Sequence, residues 1–186
     1  MWRPCMRSCR NVRLRLPASR PYPSREVASL AGVAFDMEAW PLVVMTCAQD
    51  MEGTVGSIRA FFEAAHARKE GFAILVDTRP VKTMPGPSWR RELTDWTSHP
   101  TVQLNSARYN VATAVIVPSA LARGVLTAIG WLWKPASPVR GFAAPAEAID
   151  WCCDLLLKAK IPPSPQLVEL KRRLQEAPEQ KASTRA

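Results

Sequence analysis

The sequence predicts one α/β domain with a mixed, mostly parallel sheet flanked by helices. The segments "WPLVVMTC", "FAILVDT" and "NVATAVIVP" are continuously apolar and rich in β-branched residues, as is typical of strands buried on both faces. Segments with apolar residues every three to four positions alternate with them and predict amphipathic helices. With 186 residues, the chain is long enough for one well-buried core and short for two.

The predicted domain begins near Gly32 with two strands, Val33–Asp36 and 40–47, joined by a polar turn. A helix follows, for which Thr54 is a plausible N-cap and Gly71 a plausible C-terminal stop. The opening pair of strands, ahead of alternating strands and helices, is what makes the predicted sheet mixed.

The next strand, 72–78, leads into a helix with Ser88 as its predicted N-cap, which ends before Pro100. A polar segment separates this helix from the third buried strand at 110–118. The remaining segments predict a helix N-capped by Ser119, a short strand, a helix with an apolar stripe and a further short amphipathic helix, at 119–133, 138–143, 144–161 and 164–177. The predicted order is β-β-α-β-α-β-α-β-α, without internal repeats.

The charge of the chain is concentrated in its ends. The net charge is +9, but residues 32–157 hold eleven basic and twelve acidic residues, whereas residues 1–31 carry +6 and residues 158–186 carry +4. A nucleic-acid-binding domain usually has a basic face. We therefore expect the folded part not to bind nucleic acid, while the basic ends could bind polyanions weakly.

Composition also indicates the cellular compartment of the protein. Residues 1–31 are rich in Arg and Pro and lack the apolar core of a secretory signal, which predicts a disordered leader, a transit peptide or sequence read from an upstream start. No apolar run approaches the ~18–20 residues that span a bilayer.

Five cysteines, including the adjacent Cys152 and Cys153, fit a reducing, cytoplasmic location. We expect one of that pair to be buried and the other to be partly exposed. We predict three parts: a leader at 1–31, a domain at 32–160, and a short helix with a disordered tail at 161–186.

Four motifs resemble the STAS-like superfamily, which includes anti-sigma-factor antagonists, and especially STAS-like and SEC14-like bacterial proteins. The motifs are "FDMEAWPLVV", "AILVDTR", "PSALARGVLTAIGW" and "RGFAAPAEAIDW", and together they span about two thirds of the chain. The resemblance implies a protein-interaction or ligand-sensing module that is not an enzyme. In the antagonists a serine of an Asp-Ser loop is phosphorylated. Here that loop reads "TRPVKTMPGPSW", without an Asp-Ser pair, so Thr83 and Ser88 are the nearest hydroxyls.

The candidate partner-binding residues lie at the end of the strand at 72–78 and in the loop after it: Asp77, Arg79, Thr83, Ser88 and Arg90. Asp77 lies where α/β sheets usually place ligands. It could order the loop, by bonding loop amides or by pairing with Arg79, Arg90 or Arg91. Alternatively, Arg79, Lys82 and Arg90 could form an anion-binding rim beside the helix start at Ser88. The helix that contains Arg123 and Trp131 could add to this face.

No catalytic or cofactor-binding motif occurs, and the sequence predicts no metal site, no cofactor and no enzyme activity. One alternative to an interaction module is a carrier of a small apolar or lipid ligand, with a cavity lined by Phe61, Phe62, Trp96 and Trp131. The partner is not identified by the sequence, and homo-oligomerisation through the C-terminal helix is possible.

Overall fold

The structure, a computed structural model, describes residues 28–30, 32–83, 85–117, 119 and 135–176. In this part of the chain six strands and five helices form in the order β1, β2, β3, α1, β4, α2, α3, β5, β6, α4, α5. Their bounds are β1 Ala28–Leu30, β2 Val33–Asp36, β3 Leu42–Thr46, α1 Val55–Ala67, β4 Phe72–Asp77, α2 Pro87–Thr97, α3 Pro100–Tyr109, β5 Asn110–Ile116, β6 Val139–Phe142, α4 Pro145–Lys158 and α5 Pro165–Glu176.

The six strands form one sheet in sequence order, β1-β2-β3-β4-β5-β6. The first two pairs, β1–β2 and β2–β3, are antiparallel, and the pairs β3–β4, β4–β5 and β5–β6 are parallel. The prediction of a mixed, mostly parallel sheet in an α/β fold is thereby confirmed.

β4 lies in the middle of the sheet and is buried on both faces. Phe72 and Ile74 pack in a core with β2, β3 and α1. The alternate residues Ala73 and Leu75 pack in a second core with β5 and α4. Because successive side chains of a strand point to opposite faces, a strand covered on both sides must be apolar throughout. This explains the unbroken run "FAIL" at the start of β4.

The first core is rich in aromatic side chains. The rings of Phe35 and Phe61 stack with their centroids 4.1 Å apart, and Trp40 stacks on Phe72 at 5.5 Å. Arg68 at the end of α1 places its guanidinium 4.1 Å from the centre of the Trp40 ring. α2 and α3 lie beside α1, which they both contact.

The second core lies between the sheet and α4. Ala148, Ile149, Cys152 and Leu156 form the buried stripe of this helix, as the sequence predicts. Leu167 of α5 is fully buried against the same cluster, so α5 packs on the domain although it follows the predicted boundary at residue 160. At the other end, β1 lies ahead of the predicted domain start at Gly32.

Two local predictions are wrong. Residues 100–109 are the helix α3 and not only a polar segment; none of its residues is buried, so it lacks the apolar stripe by which a helix is recognised in a sequence. Cys152 and Cys153 are both buried, because α5 covers the side of α4 that would otherwise expose the second thiol.

The predicted helix at 119–133 lies outside the described residues, apart from Ser119. In the described part of the chain, no helix is long and apolar enough to cross a membrane.

Substitution of two adjacent leucines of α4 tests how this helix packs on the sheet. Leu156 is fully buried and Leu157 is 55% exposed. We expect Leu156→Ala to lower the free energy of unfolding by about 2–5 kcal/mol, because it leaves a cavity. Leu157→Ala, the same substitution one residue along, should change it by about 0.5 kcal/mol or less. Urea unfolding of both variants measures the difference, and equal losses would contradict the assignment of the α4 stripe.

Candidate functional site

Asp77 lies at the carboxyl edge of the parallel strands. Thr46 of β3 pairs with Asp77, which in turn pairs with Ile116 of β5, so the three strands end at the same level. Beyond them, the Cys47 amide donates a hydrogen bond to the Asp77 carbonyl at 3.0 Å. The carboxyl edge of a parallel sheet is where α/β proteins usually bind ligands.

The carboxylate of Asp77 is engaged by one residue, Arg79. Asp77 Oδ1 accepts hydrogen bonds from the Arg79 amide at 3.0 Å and from its Nε at 2.9 Å, and Oδ2 accepts from Nη2 at 2.7 Å. These hydrogen bonds lower the pKa of Asp77 and raise that of Arg79. Of the three arginines considered for Asp77, the structure pairs it with Arg79, which closes the first turn of the loop.

Three hydrogen bonds hold the β4–α2 loop and the first turn of α2 to the β3–α1 loop. The Lys82 amide donates to the Gln49 carbonyl at 3.0 Å, the Gly86 amide to Glu52 Oε1 at 2.5 Å, and the Trp89 indole N–H to Thr54 Oγ1 at 3.0 Å. The Thr54 hydroxyl is buried and itself donates to the Met51 carbonyl at 2.6 Å. The loop after Asp77 is therefore fixed at several points along its length.

The prediction that Ser88 caps α2 is wrong. The N-cap is Gly86, in an extended conformation, and α2 begins at Pro87. Proline suits the first helical position, since its missing N–H would have no partner there and its φ is already helical. Ser88 is the second helical residue and is exposed. The Glu52 carboxylate lies at this helix end, where the helix dipole favours negative charge.

The loop and the start of α2 expose Lys82, Thr83, Ser88 and Arg90; we call these four residues the rim. In the described part of the chain, neither Lys82 nor Arg90 forms an ion pair, and no rim side chain hydrogen-bonds to Asp77. The sequence-predicted residues thus fall into a closed pair, Asp77 and Arg79, and an exposed group. Arg123 and Trp131 lie outside the described residues.

Cys47 is a thiol-bearing residue that directly follows β3 at this edge. Burial, together with the negative charge of Asp77, raises the pKa of its thiol to about 11. The thiolate is the reactive form of cysteine. Cys47 is consequently protonated near neutral pH and is a structural residue of the first core.

A second feature is an open groove between α1, α2 and α3, with a volume of about 800 Å³. Its inner part is formed by the buried His66 and the half-buried Trp96 and Tyr109, and its margin by exposed charged side chains: Arg59, Glu63, Lys69, Glu92 and Asp95. Sequence reasoning misses this groove because one of its walls is α3. The usable signal is the spacing of Phe62 and His66, which places the imidazole on the same side of α1 as the core.

His66 is 8% exposed and surrounded by rings. The ring centroids of Phe62, Phe72 and Tyr109 lie 5.8, 5.9 and 6.2 Å from its own. Its Nε2 is buried and has no hydrogen-bond partner. Burial lowers the pKa of this imidazole, because charging it would bring an ion into an apolar environment.

Three residues of the predicted apolar cavity pack on one another. Phe62 meets Phe61 and Trp96 edge-on, with centroids 5.6 and 5.5 Å apart, and Trp131 lies outside the described residues. The carrier hypothesis therefore stays a prediction. So does polyanion binding by the ends, although Lys171 and Arg172 of α5 already pair with Asp150 and Glu169 at 2.7 Å.

Among the described residues, no cluster of three or more His, Cys, Asp or Glu side chains is arranged to hold a metal ion. Comparison with known proteins gives no match for this chain among family models, curated proteins or solved structures.

The buried imidazole predicts a specific pH dependence. The pKa of His66 is lower in the fold than its ordinary value of 6.5, so the unfolded chain binds the proton more tightly. This contribution to stability is complete above pH 6.5 and is lost as the pH falls towards the folded pKa. We expect His66→Phe to reduce the slope of unfolding free energy against pH below pH 6.5, as measured by urea unfolding at each pH.

The chain has one other histidine, His99, which is exposed and supplies the control. His99→Gln should keep the slope of the unsubstituted protein. A slope that disappears in His99→Gln and persists in His66→Phe would show that the buried ring is not its origin.

Proposed function

We propose that this protein is a non-catalytic interaction or regulatory module of STAS-like type, which binds an acidic protein partner through the rim. The mixed sheet, with an antiparallel opening and parallel strands after it, supports the α/β part of this proposal. The STAS-like assignment rests on the motifs of the sequence. A cytoplasmic location belongs to the same proposal.

The observation that carries the proposal is the attachment of the β4–α2 loop. Long-range hydrogen bonds from Lys82 and Gly86 of the loop and from Trp89 of α2 present the exposed side chains in a fixed arrangement. A surface that is ordered before binding loses less conformational entropy when the partner arrives. Exposed polar residues on a rigidly positioned loop are a common feature of binding sites.

The charges of the rim favour an acidic partner. Arg79 is neutralised by Asp77, whereas Lys82 and Arg90 project from the loop and the helix start without ion pairs in the described part of the chain. Cations of this kind raise the rate of association with a negatively charged surface and help to set its orientation.

The hydrogen bonding of Asp77 and the protonation of Cys47 support a module that is not an enzyme. The hydrogen bonds from Arg79 occupy both oxygens of Asp77 and lower its pKa, which is the opposite of what a general base near neutral pH needs. The Cys47 thiol is protonated.

The test compares partner capture by the full chain and by rim variants. Tagged protein is incubated with a lysate of the source cells at low salt, and captured proteins are quantified by mass spectrometry. Lys82→Ala with Arg90→Ala should reduce recovery of a specific partner about tenfold or more, since exposed interfacial charges commonly act together. Glu52→Ala should weaken capture as well, because it releases the Gly86 amide and leaves every rim side chain in place.

Two controls separate the rim from the rest of the surface. Lys158→Ala removes an exposed cation at the end of α4, and Gln49→Ala removes a side chain whose backbone carbonyl makes the loop contact. Both should retain full recovery. Undiminished recovery by the Lys82/Arg90 variant, or an equal loss in Lys158→Ala, would overturn the proposal.

A further inference from the structure

The adjacent cysteines of α4 have different neighbours. Cys152 is fully buried, and burial raises the pKa of its thiol to about 12, against the effect of a hydrogen bond with the backbone of Ala114 in β5. Burial also raises the pKa of Cys153, but the positive charge of Lys171 in α5 opposes that rise. Successive residues of a helix point about 100° apart. Cys152 therefore faces the sheet, and Cys153 lies beneath α5.

The attachment of α5 to the domain depends mainly on one side chain. Among residues 165–172 of this helix, whose side chains the structure describes, only Leu167 is buried, and Leu170 is half-buried against the same core. Lys171 Nζ lies 2.7 Å from Asp150 Oδ1, but the two side chains of this ion pair are 40% and 45% exposed. Exposed ion pairs contribute little to stability. The burial of Leu167 is thus the main contact that holds α5 on α4.

The segment between α4 and α5 is fixed at its beginning and has no amide donors after that. The Ile161 amide donates a hydrogen bond to the Leu156 carbonyl at 2.9 Å, and the Ile161 side chain packs so closely on Gly71 that a Cβ there would overlap it. The next two residues, Pro162 and Pro163, have no N–H group. A movement of α5 about these prolines therefore breaks no hydrogen bond donated by them.

An element with little buried surface opens locally at a lower free energy than the whole domain unfolds. We propose that α5 is a detachable cover of Cys153: it moves away from α4 about Pro162 and Pro163 while α4 and the sheet stay folded. This opening uncovers the Cys153 thiol and the apolar surface on which Leu167 packs, and it leaves Cys152 covered. The inference goes beyond the proposed rim interaction and does not rest on it.

The two thiols report on the opening within one molecule. The full chain is labelled under native conditions with N-ethylmaleimide at low concentration, and tandem mass spectrometry measures the rate at each cysteine. We expect Cys153 to react about tenfold or more faster than Cys152, because it requires only the opening of α5. The Cys153 rate should also rise less steeply with urea, since a local opening exposes less surface than global unfolding.

Three substitutions separate the opening of α5 from unfolding of the domain. Leu167→Ala removes the main contact of α5 and should raise the Cys153 rate about tenfold or more. Val168→Ala, one residue along at a position that is 57% exposed, should leave that rate unchanged. Ile74→Val weakens the first core, on the opposite face of the sheet from α4. It should raise the Cys152 rate alone, about threefold or more, because only that thiol requires global unfolding.

Three results would overturn the proposal. The first is an equal rate with an equal urea dependence at both thiols, and the second is an equal rise of both rates in Ile74→Val, since each would show that Cys153 also requires global unfolding. The third is a Cys153 rate unchanged in Leu167→Ala, because the thiol would then react without any opening of α5. The first two comparisons decide the question if Leu167→Ala does not fold.

Discussion

The burial of β4 on both faces is the constraint on which the other features depend. Its side chains alternate between the core beneath α1 and the core beneath α4. Each end of β4 positions a different part of the structure. The carboxyl end places Asp77 in the middle of the edge from which the rim extends, and the amino end places Phe72 against Trp40 and His66. A shift of this strand by one residue would exchange the two cores and move both features.

At the carboxyl edge of the sheet, two acidic side chains stabilise the local structure. Asp77 closes the first turn of the loop through Arg79, and Glu52 holds the start of α2 through the Gly86 amide. Asp77 is paired with Arg79, so Lys82 and Arg90 are the exposed cations of the rim, and they lie near the carboxylate of Glu52, which hydrogen-bonds to a neutral amide. This division explains how one short loop can be both well ordered and open to a partner.

The sequence predicts those elements whose pattern is local. Continuous apolar runs identify β3, β4 and β5, and the stripe around Ile149 identifies α4. α3 and the groove are missed, since α3 has no apolar stripe and the groove exists only where three helices meet. The cap of α2 is misplaced for a local reason: Ser88 has the better side chain for a cap, but Pro87 fits the first helical position and leaves that role to Gly86. The pairing of Asp77 with Arg79 was one of three possibilities that the sequence left open.

The central claim is that Asp77 is a structural carboxylate held by Arg79. A ¹³C NMR titration of the Asp77 carboxyl group tests this most directly. The account predicts a pKa below the ordinary aspartate value, which rises in Arg79→Ala because the hydrogen bonds and the positive charge are lost. A pKa above the ordinary value, unchanged by that substitution, would contradict the account and point to a general acid or base at this position.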